Sequence, residues 1–144
     1  MREIKYIAIH CTAGNLMQKA RDVVYFHTGP EAKGCKGWSA PGYHYIVEAD
    51  GTVVPTWPEE KISNGVKGYN AVTINVCWTG GVDLSRHGHP PVDNRTAAQR
   101  AALRILVANL HSRYPGAVIL GHRDFPGVHK ACPCFDVKTE YKDL

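Results

Sequence analysis

At 144 residues, with 44% hydrophobic and 21% charged side chains, the chain has the size and composition of one globular domain, which excludes a disordered or fibrous polymer. The net charge is +4, but the basic residues are scattered. That balance is compatible with an anionic partner and supplies no dense patch for nucleic acid, so nucleic-acid binding is not expected. No apolar run approaches the ~20 residues of a membrane-spanning helix, so membrane insertion is not expected either.

The opening residues Met1 to Tyr6 lead straight into a strand-like pattern without an apolar export segment, so a protein that is cytoplasmic when made is expected. Five cysteines without an export signal favour free or metal-bound thiols over a disulfide framework.

Lys5 to Ile9 is short, apolar and β-branched, a buried strand that ends at His10. Residues from about Leu16 to Thr28 read as a helix, and the Gly- and Pro-rich stretch Gly34 to Gly42 as a loop. Tyr43 to Glu48 and Thr52 to Trp57 form a hairpin about Asp50-Gly51, with Pro55 placing the second strand at an edge. Ala71 to Trp78 reads as a central strand, and Asp83 to Asp93 as a polar loop holding His87 and His89. Thr96 to Arg113 is the clearest helix. Thr96 and Gln99 have capping-box spacing, and Leu103, Leu106, Val107 and Leu110 make one apolar stripe. Ala117 to Leu120 is a last strand before Gly121-His122; beyond it lie an irregular segment and a short helix after Asp136. The expected fold class is α/β: a single domain over residues 1–144, with a central mixed sheet flanked by helices.

Two of these strands run into histidine, at His10 and His122, and Cys132 comes next on a loop long enough to fold back. If the two strands are parallel neighbours, their imidazoles converge at the strand ends, where crevices form. Two imidazoles and a thiolate suit Zn²⁺ and leave a fourth position for water. The spacing matches no compact zinc pattern, so the histidines can equally be read as hydrogen-bonded polar residues and Cys132 as a small buried hydrophobe.

Several motifs occur in a fixed order: Ile7-Ala8-Ile9-His10-Cys11-Thr12-Ala13, Lys36-Gly37-Trp38, Gly42-Tyr43-His44-Tyr45-Ile46-Val47, Asp50-Gly51, Val66-Lys67-Gly68-Tyr69-Asn70, Cys77-Trp78-Thr79-Gly80-Gly81, Thr96-Ala97-Ala98-Gln99, Gly121-His122-Arg123-Asp124 and Lys130-Ala131-Cys132-Pro133-Cys134-Phe135-Asp136. In this order the chain resembles the zinc-dependent N-acetylmuramoyl-L-alanine amidases of the phage-lysozyme type, which share a fold with peptidoglycan-recognition proteins. The resemblance implies one zinc ion in a surface groove, with His10, His122 and Cys132 as ligands. It also implies catalytic roles for Tyr43 and Lys130 and a peptidoglycan substrate cut between N-acetylmuramic acid and L-alanine. A zinc-bound water is a nucleophile at neutral pH, and an ammonium and a phenol suit the resulting oxyanion. Trp38, Asn64, Tyr69, Asn70 and His129 are the candidate substrate contacts.

Relatives often carry histidine just before Val-Lys-Gly-Tyr-Asn, where this chain has Gly65; any role of that histidine is lost or passes to Asn64. The segment between His122 and Cys132 also carries an extra Pro126-Gly127. His44 alternates with Tyr43 along a strand, so it is expected on the opposite face as a hydrogen-bonded group. Cys11, Cys35 and Cys77 read as structural. Other readings are a non-catalytic peptidoglycan-binding module, a module that regulates a protein partner, and a zinc peptidase cutting within the stem peptide. The missing export signal fits a phage or prophage lysin that reaches the wall after release.

Overall fold

The computed structural model describes residues 2–144. Strand β1 spans Tyr6–Cys11, helix α1 Ala20–Thr28, β2 Tyr45–Val47, β3 Val53–Pro55, β4 Thr73–Trp78, α2 Ala97–Arg113, β5 Val118–Gly121 and α3 Val137–Glu140. The strands form one sheet in the order β3-β2-β4-β1-β5. β1 runs parallel to β4 and to β5, β2 runs parallel to β4, and only β3 is antiparallel, at the edge. This is the mixed sheet expected, with Pro55 in the edge strand where its missing N–H costs no ladder bond.

Alternation along the strands assigns two jobs to the two faces. Ile7 and Ile9 of β1, Ile74, Val76 and Trp78 of β4 and Val47 of β2 pack in one core with Leu103, Val107 and Leu110 of α2 and Val137 of α3. On the other face α1 brings Ala20 and Val23 against Ile46 and Cys77, while Val66 and Phe125 cover Ala8. This second face is the less completely roofed, and His10 belongs to it.

Helix α2 starts as its cap predicts: Thr96 Oγ1 accepts the Gln99 N–H, and Gln99 Oε1 accepts the Thr96 N–H, each at 3.0 Å. The first helix starts later than expected, at Ala20 rather than Leu16. Asn15 Oδ1 takes the Met17 N–H at 2.8 Å in a local turn, and the helix is capped from a distance by Glu48, whose carboxylate accepts the Ala20 N–H at 2.7 Å. That cap is a tertiary contact, with no local sequence signal.

The C-terminal segment is clamped by Arg95. Its side chain is fully buried, lies 3.4 Å from the centre of the Phe135 ring, and pairs with Asp93 at 2.9 Å and Glu140 at 2.7 Å. The clamp ties α3, and with it the loop carrying Cys132, to the start of α2. Arg95→Ala leaves two half-buried carboxylates without their cation, so a loss of about 3 kcal/mol is expected. In a domain of this size that is a fall of about 10 °C in melting temperature, checked by calorimetry.

Candidate metal centre and substrate groove

His10 is the last residue but one of β1, followed by the equally buried Cys11, and His122 directly succeeds β5. Because the two strands pair in parallel, Ile9 against Gly121, their histidines meet at one end of the sheet. The ring centroids are 4.7 Å apart. Cys132 arrives on the irregular loop, which is tied down at several points. Its sulfur takes the Cys11 N–H at 3.2 Å, its carbonyl accepts the Arg123 N–H at 3.0 Å, and the Pro133 carbonyl accepts Trp78 Nε1–H at 3.2 Å. One donor atom from each of His10, His122 and Cys132 then lies within 4.8 Å of the others. The three residues singled out from the strand ends thus converge.

Their protonation suits a cation. Burial pulls both imidazoles down to about 4, assisted at His122 by the neighbouring His10, so both are neutral at pH 7. The Cys132 thiol is held below its ordinary value by the Cys11 thiol and by the Cys11 N–H. Cys11 and Cys77 go the other way: Cys132 pushes Cys11 up to about 12, and burial raises Cys77. Two neutral imidazoles and one easily ionised thiol are a donor set that fits Zn²⁺.

A groove opens over these residues as two adjoining hollows of about 280 and 680 Å³. Tyr43 lines the inner hollow, its ring 5.1 Å from His10 and 5.5 Å from His27. Burial holds its phenol well above the ordinary value, so it is a hydrogen-bond donor at neutral pH. Trp38, Asn64 and Lys130 border both hollows, and His129 the outer one. Trp38 is fixed by stacking on His27 at 4.9 Å. A roomier hollow of about 730 Å³ lies beside the edge strand, but there the Glu59 carboxylate is already occupied by Arg113, Tyr114 and Tyr45.

Two expected contacts are placed elsewhere. Tyr69 packs edge-on with Tyr6 and against Phe125 at 5.0 Å, outside the groove lining. Asn70 braces its own loop, its Oδ1 accepting the Gly65 and Val66 N–H groups at 3.0 and 2.7 Å. The orientation expected for His44 from strand alternation is also corrected, because β2 begins only at Tyr45 and the preceding backbone is irregular. His44 is buried and hydrogen-bonded, as expected, but it connects to the same polar cluster as His10 rather than turning away from it. Two residues carried no recognisable signal in the sequence pattern. His27 is a buried imidazole whose Nδ1 accepts the Gly42 N–H at 3.1 Å. Asn75 lies in the middle of β4, its Oδ1 2.8 Å from His10 Nε2. Its one distinguishing mark is to be an amide between Ile74 and Val76 of a central strand.

The family model described as N-acetylmuramoyl-L-alanine amidase matches residues 1–135. The chain belongs to the N-acetylmuramoyl-L-alanine amidase family. It is 37% identical to the endolysin of Klebsiella phage KP32 over 139 residues, 95% of this amidase and 85% of that protein. Among solved structures, the Ph2119 endolysin from the Thermus scotoductus MAT2119 bacteriophage superposes with a TM-score of 0.70 at 30% identity, covering 91% of this chain and 77% of that one. The amidase LysC from Clostridium intestinale URNW shares the fold, with a TM-score of 0.75 at 21% identity over 98% of this chain and 87% of that one.

The histidines give the amidase a pH signature. His10, His27 and His122 sit at about 4 in the fold against 6.5 when free. Between those values the unfolded chain binds more protons, so stability falls as pH drops from about 6.5 to about 4 and these groups contribute no further loss below that. Melting temperatures measured in chelator across this range should decline as pH falls; a flat profile would mean the imidazoles titrate in the fold as they do in the unfolded chain.

Proposed function

We propose that this peptidoglycan amidase is a zinc hydrolase of the phage or prophage lysin type. It cuts the amide between the lactyl group of N-acetylmuramic acid and L-alanine, reaching the wall after release from the cytoplasm. The observation that carries the reading is the convergence of two neutral imidazoles and a low-lying thiol on one point of an open groove. His10, His122 and Cys132 would hold the ion. Bound there, zinc supplies a water that ionises near pH ~7 and a Lewis acid for the scissile carbonyl.

The chain's own groups do the rest. Tyr43 keeps its proton and donates it in a hydrogen bond to the oxygen that becomes negative as the carbonyl carbon turns tetrahedral. Lys130, at the mouth of both hollows, offsets the same charge with its ammonium. Trp38 and Asn64 form the wall and rim against which the muropeptide lies, and His129 extends that rim outward. The lining includes Lys36, Lys67 and Lys130 and, among the described residues, no carboxylate. That charge suits a stem peptide bearing free carboxylates.

The test is the chemistry of the ends released from purified peptidoglycan. New L-alanine amino termini, without new reducing sugar ends and lost on chelation, are expected. Amino termini on another residue would turn the reading to a peptidase, and no cleavage by zinc-loaded protein to a binding module. Cys132→Ser should lose both tight zinc binding and activity. Lys130→Ala should keep zinc and lose roughly a hundredfold in kcat, the scale of one oxyanion partner.

A further inference from the structure

We propose that Asn75 is the positioning residue for His10, fixing which ring nitrogen faces the metal, and that it acts from the space a side chain at position 65 would need. The inference rests on the zinc reading above. Asn75 is fully buried in the central parallel strand β4, between Ile74 and Val76, where an apolar residue is the norm. Every one of its side-chain hydrogen bonds has a polar side chain as partner: His10 Nε2 at 2.8 Å, Ser63 Oγ at 2.8 Å and Asn70 Oδ1 at 3.4 Å.

The direction of each hydrogen bond in this cluster is dictated by groups that have no choice. The Asn75 backbone N–H can only donate, and it points at His44 Nδ1 at 3.0 Å. His44 is therefore unprotonated at Nδ1, and its Nε2–H donates to the Lys61 carbonyl at 2.8 Å. Arg2 Nη2, which donates to the Thr73 carbonyl at 3.0 Å, also lies 3.1 Å from that nitrogen, but the Lys61 carbonyl is nearer, can only accept, and a neutral ring already unprotonated at Nδ1 must carry its proton on Nε2. The Ser63 hydroxyl, 3.2 Å from His44 Nδ1, turns its proton there and accepts from Asn75 Nδ2. Asn70 fixes the same amide orientation independently. Its Oδ1 is an acceptor for two backbone N–H groups, so the Asn75 atom facing it is Nδ2. What remains toward His10 is Asn75 Oδ1, an acceptor only. His10 must then carry its proton on Nε2, which leaves the Nδ1 lone pair free for a cation.

Gly65 supplies the second half of the device. Its backbone lies outside the left-handed region, so conformation does not require glycine there. Space does: a Cβ at this position would stand 2.4 Å from both Cγ and Oδ1 of Asn75. Positions 65 and 75 therefore compete for one volume beside His10, and in this chain Asn75 holds it. Asn64, the neighbour of Gly65, is instead exposed on the groove rim.

The experiment compares wild type, Asn75→Ala, Gly65→Ala and the double variant. It reads zinc affinity by competition with a chromophoric chelator and the His10 tautomer by ¹⁵N–¹H long-range correlation in the metal-free protein. Wild type should show the Nε2–H form. Asn75→Ala should show a tautomer mixture and lose roughly ten- to a hundredfold in zinc affinity. Gly65→Ala, which adds one methyl and removes no polar group, should do the same by pushing the amide off His10. In the Asn75→Ala background Gly65→Ala should cost little further, a non-additivity that unrelated structural damage does not produce. Unchanged affinity and tautomer in Asn75→Ala, or equal Gly65→Ala penalties in both backgrounds, would overturn the proposal. Should Asn75→Ala fail to fold, Gly65→Ala decides alone: an unshifted tautomer there also overturns it. Wild type that keeps the Nε2–H form but binds no zinc would defeat the metal reading and leave the His10–Asn75 pairing standing.

Discussion

The two-residue period of β1 governs the rest of the molecule. One short strand has to anchor the domain and deliver a reactive group, and it can do both because successive side chains leave opposite faces. Ile7 and Ile9 go down into the core under α2, while Ala8 and His10 go up beneath the groove. A one-residue register slip would bury the imidazole among Leu103 and Val107 and expose two isoleucines. The apolar core beneath β1 therefore sets the register of the metal site as firmly as any contact within it.

The parallel pairing with β5 adds the second histidine, and here the sequence was unusually informative. A run of β-branched residues that stops at histidine announces both the strand and the residue at its end, and two such runs announce a meeting point if they are neighbours. The pairing of Ile9 with Gly121 supplies the condition that the sequence left open. Helix α2 was legible for a different reason: its cap is local, Thr96 with Gln99, and its stripe is regular. The start of α1 was not, because its N-cap, Lys19, has no preferred capping side chain, and beside the local Asp22 contact the Ala20 N–H is taken by Glu48, 28 positions away. The same division runs through the site. His10, His122 and Cys132 announce themselves by residue type. Tyr69 and Asn70 sit in a motif that looks like a binding loop, yet one packs against Phe125 and the other holds backbone N–H groups. Nothing in their identity separates bracing a loop from touching a ligand.

Cys132 poses the opposite problem, a ligand on a segment without regular structure. Loops are imprecise platforms, and a metal centre tolerates little displacement. This loop gains precision by being bonded at three places, through the Cys11 N–H, the Arg123 N–H and the Trp78 indole. Arg95 then fixes the chain beyond Cys134 by gripping Glu140 and stacking on Phe135. Pro126 and Gly127 lie in the outer part of the segment, where they line the larger of the two groove hollows.

The polar cluster behind His10 explains why a buried amide is retained between Ile74 and Val76 of a central strand. A lone asparagine at that depth would lose its hydration for nothing. Here each hydrogen of its amide has an acceptor and its oxygen has a donor, so the cost is met within the cluster. What the fold gains is direction. A backbone N–H at one end and a backbone carbonyl at the other leave each intervening side chain one way to point. The imidazole at the end of that series can turn only one nitrogen toward the groove, and the choice is made before any ligand arrives.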